Sequence, residues 1–209
     1  MNSEKLGYLR PLPKTGTEPF VDNDQPLSFD FHSCWQWFGS DILSNTMRGL
    51  IAEYLVACDL GVQDRIRQEW AAYDLETANG VKVEVKSAAY LQSWHQKAIS
   101  TISFGISPTT AWNPETGIYE GSARRQADVY VFALLHHRDK RTVNPLDVAQ
   151  WTFYVLATSV LNRRLPAQKQ VSLSSLRKLG PEEVRFGNIA AALGRVLGQE
   201  EQERAHRTS

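Results

Sequence analysis

Asp74 to Lys86 reads DLETANGVKVEVK, and the reading of this stretch decides the fold. Tyr73-Asp74-Leu75 closes one extended run, and Ala78-Asn79-Gly80 forms a turn in which Asn and Gly tolerate positive φ. Val81 to Val85 then alternates apolar with charged residues at period two, the mark of a half-buried strand. Val81, Val83 and Val85 share one face of that strand, while Lys82, Glu84 and Lys86 share the other. The turn folds Asp74 back beside Glu84 and Lys86, so two carboxylates and an ammonium are expected to meet at one edge of a sheet.

Upstream, the spacing predicts a helix from Ser44 to Asp59. Ser44 or Asn45 caps it, Met47, Leu50, Ile51, Tyr54, Leu55 and Cys58 recur at helical spacing, and Gly61 is its stop. Glu53 lies at the border of this apolar stripe. A carboxylate there either reaches solvent, as most helical Glu do, or faces a cation. Ile66 to Leu75 is expected as a strand. Residues 1–43 read as an N-terminal arm, irregular from Met1 to Leu27 because Pro11, Pro13, Pro19 and Pro26 interrupt it. Its aromatic residues Phe29, Phe31, Trp35, Trp37 and Phe38 are expected to pack back on the body, with a base-stacking platform as the other reading.

Downstream, Ser87 to Lys97 fits either a continued strand or a short helix. If the strand continues, Gln92, Trp94 and Gln96 lie on the face of Lys86 as candidate substrate contacts, with simple packing as the other reading of Trp94. Thr101 to Ile106 alternates through Ile102, Phe104 and Ile106, and a Gly/Pro/Thr-rich loop is expected from Ser107 to Ala123. Asp128 to Leu135 (DVYVFALL) reads as a central strand buried on both faces. Arg124, Arg125 and Gln126 stand immediately before it, where they could grip a phosphate or simply be surface charge. Trp151 to Leu156 is a further strand, Thr158 caps a helix through Leu165, Val171 to Leu173 is extended, and Glu182 to Glu203 is largely helical. Residues 44–200 thus form one body with a fraying tail at 201–209. Helices around hairpin and central strands imply an α/β (α+β) class with a mixed sheet.

The 209 residues, 42% hydrophobic and 22% charged, are those of one globular domain able to bury a full core. No apolar run reaches the length of a membrane span and the first residues hold no apolar signal segment, so a cytoplasmic setting is expected. Cys34 and Cys58 have no ligand spacing; Cys58 reads as a buried small hydrophobe. Net charge is zero, yet residues 121–180 hold ten Lys/Arg against three Asp. A basic segment behind an acidic front suits either a phosphate-binding metalloenzyme or ordinary solvated loops.

A helix bearing Glu53, then Asp74, then Glu84-Val85-Lys86 in an apolar strand, resembles the PD-(D/E)xK, or restriction-endonuclease-like, nuclease superfamily. The resemblance spans about residues 44–90. Glu84-x-Lys86 is the one such triplet in the chain, and Tyr73 stands where the superfamily's name has Pro. The resemblance implies a restriction-endonuclease-like core and a Mg²⁺-dependent DNA endonuclease, with Mn²⁺ able to substitute. Its roles in restriction, defence or repair, and a homodimeric state, are left open. Asp74 and Glu84 would supply hard oxygens to the ion, with the Val85 carbonyl as a further ligand. Lys86 would orient water or stabilise the transition state, and Glu53 would hold a metal-bound water or a second ion. The competing class keeps the fold as a module of weak or lost chemistry that binds nucleic acid or a protein; a third reading is an interaction protein with no nucleic-acid partner.

Overall fold

The computed structural model describes residues 6–208, with backbone alone for residues 203, 204 and 206–208. In chain order the elements are β1 (Pro19–Asp22), β2 (Gln25–Asp30), α1 (Phe31–Gly39), α2 (Asn45–Asp59), β3 (Leu75–Glu76), β4 (Lys82–Ala89), β5 (Ser103–Gly105) and β6 (Thr109–Asn113). Then come β7 (Ile118–Arg124), β8 (Val129–Leu135), β9 (Trp151–Ala157), α3 (Thr158–Arg164), β10 (Gln170–Ser172), α4 (Leu173–Lys178), β11 (Glu182–Val184) and α5 (Ile189–Thr208). Five strands make the central mixed sheet, in the order β11-β9-β8-β4-β3. Only β4 and β8 run parallel, in a seven-rung ladder from Val83–Val129 to Ala89–Leu135. The expected α+β class with a mixed sheet flanked by helices is the one found.

Period two sorts the sheet's side chains onto two cores. Val83, Val85, Val129, Val131, Phe153 and Val155 face one way, under Ala52 and Val56 of α2 and Ile189, Ala192 and Val196 of α5. Tyr130, Phe132, Tyr154 and Leu156 face the other, covered by Phe104 and Val171 of the β5–β10 ribbon and by Leu161 and Leu176. β8 is buried along its whole length, as an apolar run between two covered faces must be.

Helix α2 begins where the sequence placed it, with the Ser44 hydroxyl accepting from Met47 N. It ends in a Schellman turn: Val62 N donates to Ala57 O, Gly61 N donates to Cys58 O, and Gly61 takes φ +68°. The Asp59 carboxylate then accepts from the backbone N–H groups of Gly187, Ile189 and Ala190, so the end of α2 caps the start of α5. The apolar stripe is displaced from the one expected. Arg48, Ala52, Val56 and Ala57 are buried, Tyr54 is exposed, and Cys58 is half-buried rather than buried.

Several expected elements are corrected. Residues 66–74 are irregular and largely exposed, not a strand, because nothing pairs with them before Asp74. The expected loop from Ser107 to Ala123 is the β6–β7 hairpin, closed by Asn113, whose side chain accepts from Glu115 N and Thr116 N, with Gly117 at φ +70°. The supposedly irregular arm contains the β1–β2 hairpin, turned by Asn23 and Asp24 at positive φ; residues 1–5 lie outside the described residues. Its aromatic residues are not buried as expected, Trp37 being 87% exposed. Glu182–Val184 is a strand paired with β9, and the helix after it runs to Thr208, through residues expected to fray. Thr158 does not cap α3: it is the first helical residue, and its buried hydroxyl has no partner.

Candidate active site

The hairpin forms as read. Leu75 pairs with Val83 and Glu76 with Lys82, while Gly80, at φ +82°, closes the turn with its N–H on Thr77 O. Asn79 keeps negative φ and instead accepts from the Thr77 hydroxyl. Asp74 N donates to Val83 O, and there β3 peels away from β4. That leaves Val85 N without a strand partner, and the Asp74 carboxylate supplies the acceptor at 2.7 Å. Residues two apart present the same strand edge, so the Val85 carbonyl faces the edge that β3 has vacated.

Glu84 and Lys86 share the face of Tyr130 and Phe132, one strand over. Lys86 Nζ lies 2.5 Å from Glu84 Oε1. Burial works against the Lys86 charge, but Glu84, Asp74 and Glu53 together raise its pKa. Asp74 is pushed up to about 7, first by burial, then by the charges of Glu84 and Glu53, against the Val85 hydrogen bond and Lys86. Three acids therefore act on one another here. Burial, with Glu84 and Asp74 nearby, also raises the Tyr130 phenol.

Glu53 does not point to bulk solvent. Its carboxylate takes two hydrogen bonds from Arg67, Nε at 2.5 Å and Nη2 at 3.3 Å, and its side chain is 14% exposed. Arg67, whose pKa that pairing raises, rides on the irregular segment before β3. Sequence reading missed it because the segment read as a strand, and nothing in its spacing marks a partner for Glu53. Tyr130 was missed because an apolar run hides which tyrosine faces the acids.

Asp74 and Glu53 line a cleft of about 1070 Å³, together with Trp112 and Arg124 of the β6–β7 hairpin, Gln126 just after it, and Tyr8 and Arg10. Arg124 donates to the Gln126 side chain, which donates to Thr109 O. Arg125 belongs to the core instead. At 6% exposure its guanidinium donates to Ile106 O, Asn162 Oδ1, Leu165 O and Gln168 O, tying the residue after β5 to α3 and the loop that follows it. Gln92 is likewise structural, because β4 stops at Ala89. The buried Gln92 accepts from Arg48 Nη1 at 3.1 Å and donates to Ala89 O. Gln96 braces the same loop by bonding Gln92 N and Tyr90 O. Trp94 stays exposed on that loop, beyond the end of β4, so the strand continuation that would have set it on the face of Lys86 does not occur.

Carboxylates and a backbone carbonyl suit a hard cation such as Mg²⁺ in donor chemistry. In the fold as it stands Glu84 is engaged by Lys86 and Glu53 by Arg67. Among the described residues no group of three or more His, Cys, Asp or Glu stands in metal-holding geometry. No helix among them is long and apolar enough to cross a membrane.

A comparison with curated proteins finds no match. The family model for bacteriophage T4 endonuclease IV matches residues 38–175, a span that runs from the end of α1 into α4 and holds Glu53, Asp74, Glu84, Lys86 and Arg67 alike. With well over half its length inside that match, the chain belongs to the bacteriophage T4 endonuclease IV family.

Proposed function

We infer that the protein is a Mg²⁺-dependent endonuclease that hydrolyses phosphodiester bonds of DNA, built on a PD-(D/E)xK-type centre at Asp74, Glu84 and Lys86. The observation that carries the reading is the Asp74 carboxylate seated on Val85 N at 2.7 Å, on the strand where Glu84 and Lys86 meet at 2.5 Å, with burial and the charges of Glu84 and Glu53 raising the Asp74 pKa. Such crowding is costly in a structural hairpin and useful where a cation is to be taken up.

Asp74, Glu84 and the Val85 carbonyl would hold the ion, with Glu84 released from Lys86 to do so. Bound there, Mg²⁺ supplies charge neutralisation at the phosphoryl oxygens and lowers the pKa of coordinated water. Lys86 remains beside the reacting phosphate, where its ammonium stabilises charge that grows in the transition state. Glu53 would orient a metal-bound water, and Arg67 holds Glu53. Arg124 and Gln126, across the cleft, contact the substrate.

One observation favours a second reading, a nuclease-fold module that binds nucleic acid or a protein with little chemistry: both flanking acids are already neutralised by cations. The two are separated by incubating plasmid and single-stranded DNA with the protein and Mg²⁺, with and without chelator. Cutting that stops on chelation supports the enzyme. Binding without cutting of any nucleic acid supports the module.

A further inference from the structure

Two loops leave the same end of the parallel strand pair. The last rung of the β4–β8 ladder is Ala89–Leu135, so the segments after these residues both start at carboxyl ends, where sheets with parallel strands commonly receive ligands. The loops are pinned together. Lys140 Nζ donates to Trp94 O at 2.5 Å, and the Arg138 guanidinium lies 4.2 Å from the centroid of the Tyr90 ring. A carbonyl and a ring face orient a cation without neutralising it. Among the described residues no carboxylate pairs with Arg138, Lys140 or Lys97. The one acid within residues 136–142, Asp139, is occupied by Arg141 at 2.8 and 3.2 Å. On the same loop Trp94 is 53% exposed, and its carbonyl is the one that holds Lys140.

Uncompensated cations around an exposed indole match a polyanion that also presents flat apolar faces, which is the chemistry of a nucleic-acid strand. An acidic protein would meet the charges and leave the indole unused. The position fits as well: three strand residues at roughly 3.3 Å each separate Lys86 from the end of β4, so the surface begins about 10 Å from the catalytic lysine. We propose that the surface formed by Trp94, Lys97, Arg138 and Lys140 is a second contact site for the substrate, engaging phosphates that flank the one being cleaved. The cations take the phosphates, and the indole covers an adjoining sugar or base. The site rests on the reading of the protein as a DNA nuclease and lies outside the cleft that reading uses.

The test is fluorescence anisotropy of a labelled DNA oligonucleotide that covers both sites, with full-length protein in chelator, from about 50 to about 200 mM salt. The paired change Arg138→Ala/Lys140→Ala should weaken binding about tenfold and flatten the salt dependence by roughly 0.7–0.9 per lost phosphate contact. Trp94→Ala should weaken it severalfold and leave the slope alone. Lys97→Glu, on the exposed loop, breaks none of the pinning contacts and so serves if the paired variant fails to fold; it too should lower the slope. In each variant Mg²⁺-dependent cleavage at saturating DNA should match the wild type, with KM raised. Wild-type affinity and slope in folded variants would overturn the second site while leaving the nuclease reading intact. Equal capture of polyglutamate and DNA by the wild type, lost equally in the paired variant, would overturn it in favour of an acidic-protein surface. A wild type that binds no nucleic acid would reject the nuclease reading and the second site with it.

Discussion

Replacing Asp74 with Asn should make the ion-free protein more stable while destroying its function. The folded carboxyl has a pKa of about 7 against an ordinary value of 3.8, because burial and the charges of Glu84 and Glu53 disfavour its anion. The folded state therefore holds this proton to a higher pH than the unfolded chain does. Stability from this group is fully present below about pH 4 and is lost as pH rises towards 7. A gap of about three pH units corresponds to about 4 kcal/mol. An Asn side chain keeps an acceptor for Val85 N, now 2.7 Å from the carboxylate. That gap already includes the charge assistance of this bond, so the uncharged amide is expected to gain on the order of 4 kcal/mol near pH 8. Urea denaturation in chelator measures it: the gain should be full near pH 8 and fade towards pH 4. Excess Mg²⁺ should stabilise the wild type and not the variant. An Asp74→Asn protein that is no more stable than the wild type near pH 8 would refute the reasoning.

Glu84→Ala should abolish calorimetrically detected Mn²⁺ binding, since it would remove one of the two proposed side-chain ligands; unchanged binding would move the ion elsewhere. Arg125→Ala should cost about 3 kcal/mol in urea denaturation, because it strands the carbonyls of Ile106 and Leu165. It should leave the DNA affinity of the folded fraction unchanged. Gly80→Ala should cost about 1 kcal/mol in thermal unfolding, since its φ of +82° disfavours any side chain although nothing crowds the added methyl group.

The hairpin was legible because three independent signals agree there: the Asn-Gly turn, the period-two valines, and a helix of the right length before it. β8 was legible because an unbroken apolar run has few other homes. The fate of residues 107–124 was hidden, since β7 is exposed along its whole length and shows no alternation to read. Arg125 and Gln92 misled for a related reason. Both are polar residues next to a strand that carries or adjoins the site, and only the fold reveals that carbonyls and Arg48 claim them. The pairing of Glu53 with Arg67 joins residues fourteen apart through an irregular segment, where no periodicity links the two. Glu53 and Glu84 stand in regular elements, α2 and β4, where spacing places them; Asp74 stands just before β3.

The most direct test of the proposed catalytic centre is Mg²⁺-dependent cleavage of plasmid and single-stranded DNA by Lys86→Ala, with DNA binding measured in the same preparations. Lys86 lies at the sheet edge against Glu84, where its ammonium would act chiefly on charge formed in the transition state. Cleavage should fall by about 10²–10³, the cost of one lost electrostatic stabiliser. Binding should persist, because it is spread over Arg and Lys side chains elsewhere. Cleavage undiminished in Lys86→Ala would contradict the account.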